Sequence, residues 1–275
     1  MKTWALARFT VKEAVRGKAM IAGLVISLLY LALVPAFSSP SGGNAIVGDE
    51  QMRIAASREF LNFALGGLNF IGMFLAIFTT LGTIYSEIER GTIVTLVTKP
   101  ISRVQLIAGK WLGHVMLMAA YVIIMGLALW LSVALGSGML VWRFFPALML
   151  VCLNVITMVS LTLAFSTVLP VVANAVFVFL MMVITSNLRI VHAIGETSQN
   201  AVIMVAANLF RMVLPVGEVN DLAGRIMLGQ TQASNLMGVS PSAFTPRAWS
   251  FLYELVYLSA LLMIAVLLFQ KKDLS

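Results

Sequence analysis

Few side chains in this 275-residue chain can do chemistry, and they fall into three groups. The first sits in SEIERGTIVTLVTKPISRVQLIAGKWLG, where Glu87, Glu89, Arg90, Lys99 and Arg103 surround Gly91, Thr92, Thr95 and Pro100. Charges and a proline in an otherwise greasy chain suit a surface read by a partner. The second is Glu254, a carboxylate well inside an apolar run. A charge at mid-bilayer costs roughly 2.5–3.5 kcal/mol on insertion scales, which makes such a group a functional candidate by default. It stands about one and a half helical turns past Trp249, at an end where water is near. There it would contact a substrate or pair with Arg211 or Arg247. The third is Asn154, Thr157 and Ser160, spaced by threes, with Asn174 in the next apolar run. These can line a polar pathway, but more often bond across helix contacts, each worth about 0.6 kcal/mol.

Other chemistries find no constellation. His114, His192 and Cys152 are scattered over different runs, whereas metal ligands must converge. The 17 methionines read as flexible filler. No paired carboxylates or Ser/His arrangement suggests hydrolysis. No G-x-x-x-x-G-K-[ST] phosphate loop occurs: Gly17-Lys18 lacks the upstream glycine and the following hydroxyl, and Gly109-Lys110 is followed by tryptophan. The chain is therefore expected to carry no catalytic, cofactor or metal residues and not to bind ATP by that route.

The elements that hold these groups must be membrane helices. The chain is 60% hydrophobic and 11% charged, where a soluble domain carries about 25% charge. Runs without charge approach the ~20 residues that cross a ~30 Å hydrocarbon core, and helices are the choice because lipid offers no partner for backbone amides. The residues predict an all-α integral membrane protein with six spans: Ala19–Ala36, Leu61–Tyr85, Trp111–Leu135, Pro146–Leu169, Val171–Ser186 and Trp249–Phe269. Residues 1–275 form one transmembrane domain, with an interfacial helix in 1–18, five spans in 19–186, an outer segment in 187–248 and the last span and tail in 249–275. The N-terminal region is read as a retained first span, not a cleaved signal, because its preceding stretch is long and contains Glu13.

With the N-terminus inside, every lysine falls on the cytoplasmic face and the outer face holds only arginines, so both termini are placed in the cytoplasm. The +7 formal charge reflects this bias and does not call for nucleic acid. Trp111, Trp142 and Trp249 sit at or near span ends as headgroup anchors. Residues 2–18 form an amphipathic helix, with Trp4, Val11 and Val15 on one face and Arg8, Lys12 and Arg16 beside it, suited to an anionic lipid surface. Ala201–Leu214 reaches about 21 Å, too short to span, and reads as a re-entrant or surface-lying helix.

Within the first group, Thr92, Thr95 and Lys99 fall at i, i+3, i+7 opposite Ile93, Val94, Leu96 and Val97, although the β-branched content also permits a strand. Lys99-Pro100 ends the element, and Ser102 with Gln105 reads as a capping box opening the next helix. Gly109 and Gly113 form a G-x-x-x-G that allows close helix approach, to the second span or to a second subunit.

EIERGTIVTLVTKPISRVQLIAGKWLG resembles the segment after the second span in ABC-2 type transporter permeases, in the branch of permeases near the nitrous-oxide reductase maturation system. The matching positions are Glu87 or Glu89, Gly91-Thr92, Ile93–Val97, Pro100, Ser102-Arg103 and Gly109-Lys110. LFRMVLPVGEVNDL is similar to that family's outer segment, with Pro215-Val216 where Pro-Asn is common, and LLFQKKDLS resembles its usual ending. The resemblance implies a permease subunit that works as a dimer, with a second copy or a paralogue, and exports a substrate. It implies that Glu87, Glu89, Arg90, Gly91, Thr92, Thr95, Lys99, Pro100 and Arg103 form a coupling helix seated on a separate ATPase, which would carry ATP and magnesium. It implies that the N-terminal helix braces that element and that the outer segment holds re-entrant helices. Glu254, Asn154 and Asn174 are pathway candidates. The rival expectations are a secondary transporter driven by an ion gradient and a membrane scaffold that recruits a cytoplasmic partner.

Overall fold

The structure, a computed structural model, describes residues 2–38, 50–85, 102–138, 140–213, 215–228 and 250–271. Among the described residues every regular element is a helix. α1 (Lys2–Val15) and α2 (Lys18–Ser38) are separated by a break at Arg16-Gly17 and meet at 64°. α3 (Glu50–Thr80) ends in a turn through Gly82, whose φ of +70° is easy for glycine alone. α4 (Arg103–Ser137) is the longest of them, at roughly 52 Å. α5 (Phe144–Ser166) and α6 (Val171–Ser186) are joined by a short turn that ends at Pro170.

Among the described residues four helices are long and apolar enough to cross a membrane: Ser57–Thr80, Val104–Gly136, Phe144–Ser166 and Phe251–Gln270, the last in α10 (Ser250–Lys271). The bent α1–α2 pair makes a fifth if counted as one span. Of the six expected spans, Ala19–Ala36 therefore falls in the second half of a bent pair. The expected span Val171–Ser186 is α6, whose 16 residues reach about 24 Å.

α5 is the buried centre, with α3, α4, α6 and α10 packed around it. Its sequence suits that place: it is uncharged and apolar on every side, as a helix enclosed by others must be. Its hydroxyl residues turn back on their own helix, Thr157 toward the Leu153 carbonyl, Ser160 to Ile156 and Thr162 to Met158, so they cost little to bury.

The segment after α6 folds as three helices, α7 (Leu188–Thr197), α8 (Ala201–Val213) and α9 (Val216–Leu228). In α8, Val202, Val205 and Leu209 are exposed, an apolar face that the described residues of this chain do not cover. α9 is the helix that enters the bundle. Val216, Val219, Ala223 and Met227 are buried against α5 and α3, and Asn69 donates to Asn220 at 3.1 Å. Glu218 in its first turn and Arg225 in its last oppose the helix dipole favourably.

Candidate functional site

Glu87, Glu89, Arg90, Gly91, Thr92, Thr95, Lys99 and Pro100 lie outside the described residues, as does the Arg103 side chain. The structure does show the base on which that segment stands. On one side, α3 stops and its last turn exposes carbonyl groups that need donors. On the other, α4 opens with the expected capping box: Ser102 Oγ accepts from the Gln105 N–H at 3.2 Å, and Gln105 Oε1 accepts from the Ser102 N–H at 3.2 Å. The two stems are tied to each other. Lys110 is buried (6% exposed) and its ammonium donates to the Thr83 carbonyl at 2.7 Å. One turn on, His114 Nε2 lies 3.3 Å from Thr83 Oγ1. A cation at a helix C-terminus answers both the unpaired carbonyl and the negative end of the dipole.

Apolar packing closes the same corner. Ile84, Leu106, Ile107, Leu163, Ala164, Ala265 and Phe269 form a cluster apart from the main core, with Leu6 and Trp111 against it. It gathers the ends of α3, α5 and α10, the start of α4 and a side chain of α1. Trp111 is half-buried at this corner, and its indole N–H donates to Ser160 Oγ at 2.8 Å.

The G-x-x-x-G finds a partner that the sequence left open. A Cβ at Gly109 would stand 2.8 Å from Leu6 Cδ2, and one at Gly113 would stand 2.8 Å from the Ala7 carbonyl oxygen and from Thr10 Cβ. The two glycines are thus the seat of α1, which lies along α4 through Leu6, Ala7 and Thr10. Trp4 and Phe9 face away, and Val15 is exposed, so the packed face of α1 is offset from the Trp4–Val11–Val15 stripe read from the sequence.

The pathway candidates differ in their partners. Asn174 donates to the Thr162 carbonyl at 3.1 Å and so joins α6 to α5. Glu254 is fully buried, with Oε1 2.7 Å from Thr157 Oγ1. Its place early in α10 suggests nearness to water, but the carboxylate is enclosed by neighbouring helices. Thr157 lies about 20 Å along α5, so the start of α10 faces the middle of α5 and not its end. α9 packs on both helices. Asn154, one turn before Thr157, is buried with neither amide atom partnered among the described residues.

Sequence reasoning named Lys110 in the motif and weighed His114 for metal, but missed that both meet Thr83. The available signal was a lysine and a histidine one turn apart in an otherwise apolar helix; the carbonyl that Lys110 meets leaves no mark in sequence. α9 was also missed as the buried helix, although its apolar residues recur at helical spacing.

Among the described residues the arrangement holds no grouping for bond-breaking chemistry. It is a corner at which five helices meet, next to the two stems between which the charged segment runs in sequence. A comparison with curated proteins found no match. A family model described as ABC-2 family transporter protein matches residues 4–274, nearly the whole chain. With its membrane-length helices and this family match along its full course, the chain is a multi-pass membrane protein that belongs to the ABC-2 transporter family.

Proposed function

We propose that this chain is the membrane-spanning permease subunit of an ATP-driven ABC-2 type exporter, in the nitrous-oxide-reductase-maturation-like branch. It has six spans in the cell (inner) membrane, with both termini in the cytoplasm. It pairs with a second permease copy or a paralogue and is surrounded by membrane lipid. A separate ATPase subunit binds ATP and magnesium and docks on the 86–103 stretch through Glu87, Glu89, Arg90, Gly91, Thr92, Thr95, Lys99, Pro100 and Arg103.

The observation that carries this reading is the locked base of that segment. A nucleotide cycle can drive transport only if it changes the energy difference between two membrane conformations, which demands a stiff connection. Lys110 on the Thr83 carbonyl, the capping box at Ser102 and the apolar corner around Phe269 join the segment's stems to the ends of four membrane helices and to α1. A push on the segment would then reach the bundle and not dissipate in a loose loop. The charges of the segment would fix register and choice of partner more than raw affinity.

The test is purification of the tagged chain in mild detergents, with identification of co-purifying chains and an ATPase assay. Wild type is run beside Glu89→Ala and Pro100→Gly. A stoichiometric nucleotide-binding partner is expected, with its activity lost or uncoupled in the variants. Failure to recover such a partner with wild type in several detergents would refute the reading.

A further inference from the structure

The corner described above uses none of the polar groups at the middle of the bundle. Glu254 and Asn154 are both at 0% exposure, within a single chain and away from its lipid-facing surface. Tyr253, Leu255 and Val256, which flank Glu254 on α10, are the residues that face outward. Thr157 Oγ1 stands 2.7 Å from Glu254 Oε1 and 3.0 Å from the Leu153 carbonyl, and a hydroxyl has one hydrogen to give. Glu254 thus receives at most one hydrogen from Thr157, and its Oε2 has no partner among the described residues. Asn154 Oδ1 and Nδ2 have none either. Asn154 precedes Thr157 by three residues, and positions three apart share a helix face, so it points toward the same side of α5. Buried polar groups in native structures are paired, and buried charges are paired or coordinate an ion.

We propose that Glu254 Oε2, Asn154 Oδ1 and Thr157 Oγ1 hold a small alkali-metal cation between α5 and α10. A water would serve the hydrogen-bonding capacity but leave the carboxylate charge uncompensated. A proton on the carboxyl would remove the charge but leave Asn154 Oδ1 without the partner that a cation supplies. A carboxylate, an amide oxygen and a hydroxyl are hard oxygen donors of the kind that hard cations take. Among the described residues no three His, Cys, Asp or Glu side chains converge, so the donor set does not suit a transition metal. The ion would tie α10 to the central helix beside α9. This inference does not depend on the permease reading, because it concerns this chain alone.

The experiment uses the purified full-length chain in lipid nanodiscs. Binding of ²²Na⁺ and ⁸⁶Rb⁺ is measured directly, and thermal unfolding is followed in sodium, potassium and N-methyl-D-glucamine chlorides at constant ionic strength and pH. Saturable binding of one alkali ion is expected, together with a higher Tm in that salt. Thr157→Val should raise the half-saturating concentration about tenfold, and Glu254→Gln should abolish binding. Thr157→Val keeps the carboxyl and serves as the readout if Glu254→Gln does not fold. Wild-type unfolding that is equal in all three salts with no radio-ion bound would overturn the proposal. So would binding that persists unchanged in Glu254→Gln and Thr157→Val. A Tm that responds to pH alone would assign the carboxyl to a proton and overturn it too.

Discussion

Replacing Gly113 with alanine tests whether α1 is seated on α4 by a close backbone approach. The new Cβ would stand 2.8 Å from the Ala7 carbonyl oxygen and from Thr10 Cβ, against the 3.4 Å at which ordinary contact begins. One of these atoms is backbone, so no rotamer change relieves it, and α1 must move by about 0.6 Å or more. Overpacking of this kind costs about 1–3 kcal/mol. The helix propensity gained by α4 is common to the docked and undocked states, so the cost falls on the docking of α1. The population of undocked α1 should then rise about 5- to 150-fold. Hydrogen exchange of the peptide covering residues 2–15, measured in nanodiscs, reads this change directly. Gly66→Ala in α3 is the control, because nothing lies within 4 Å of a Cβ there. It should leave exchange of α1 unchanged. Equal protection of α1 in wild type and Gly113→Ala would refute the seat, and an equal loss in both variants would refute the local origin of the effect.

Other consequences follow from the same contacts. Lys110→Met removes the donor to the Thr83 carbonyl, a charge-assisted bond worth about 1.5–3 kcal/mol, partly offset because a buried ammonium is no longer desolvated. A net loss of about 1 kcal/mol is expected in denaturant or thermal unfolding, with faster exchange at residues 80–85. Asn174→Leu deletes the bond to the Thr162 carbonyl and should change stability by only about 0.6 kcal/mol. Substrate transport in that variant should match wild type if Asn174 serves packing; a large drop at unchanged stability would assign it to the pathway. Tyr121→Phe removes the hydroxyl pair that joins Ser27 on α2 to Tyr121 on α4, and a loss of about 0.6 kcal/mol in the same unfolding assay is expected.

Some of this molecule is written in runs of neighbouring residues, and that part is legible without a structure. Apolar stretches of span length state that helices lie in lipid, because no other arrangement satisfies their amides. The Ser102–Gln105 box is legible for the same reason: both partners sit within one turn and need no distant element. That Ala201–Val213 forms a helix too short to cross a membrane comfortably follows from its 13 residues, about 20 Å. The family is legible because its motif is compact.

Tertiary structure decided which face meets which. Gly109 and Gly113 announce a close approach, but only the fold names α1 as the visitor, since several helices could offer a smooth side. Lys110 finds a carbonyl 27 residues away, a group every residue possesses and none advertises. Glu254 shows the limit most plainly. Its place early in its helix suggests water, yet depth in a bundle is set by where the neighbouring helices begin. α10 begins opposite the middle of α5, so a carboxylate five residues into its helix is enclosed at the centre of the protein.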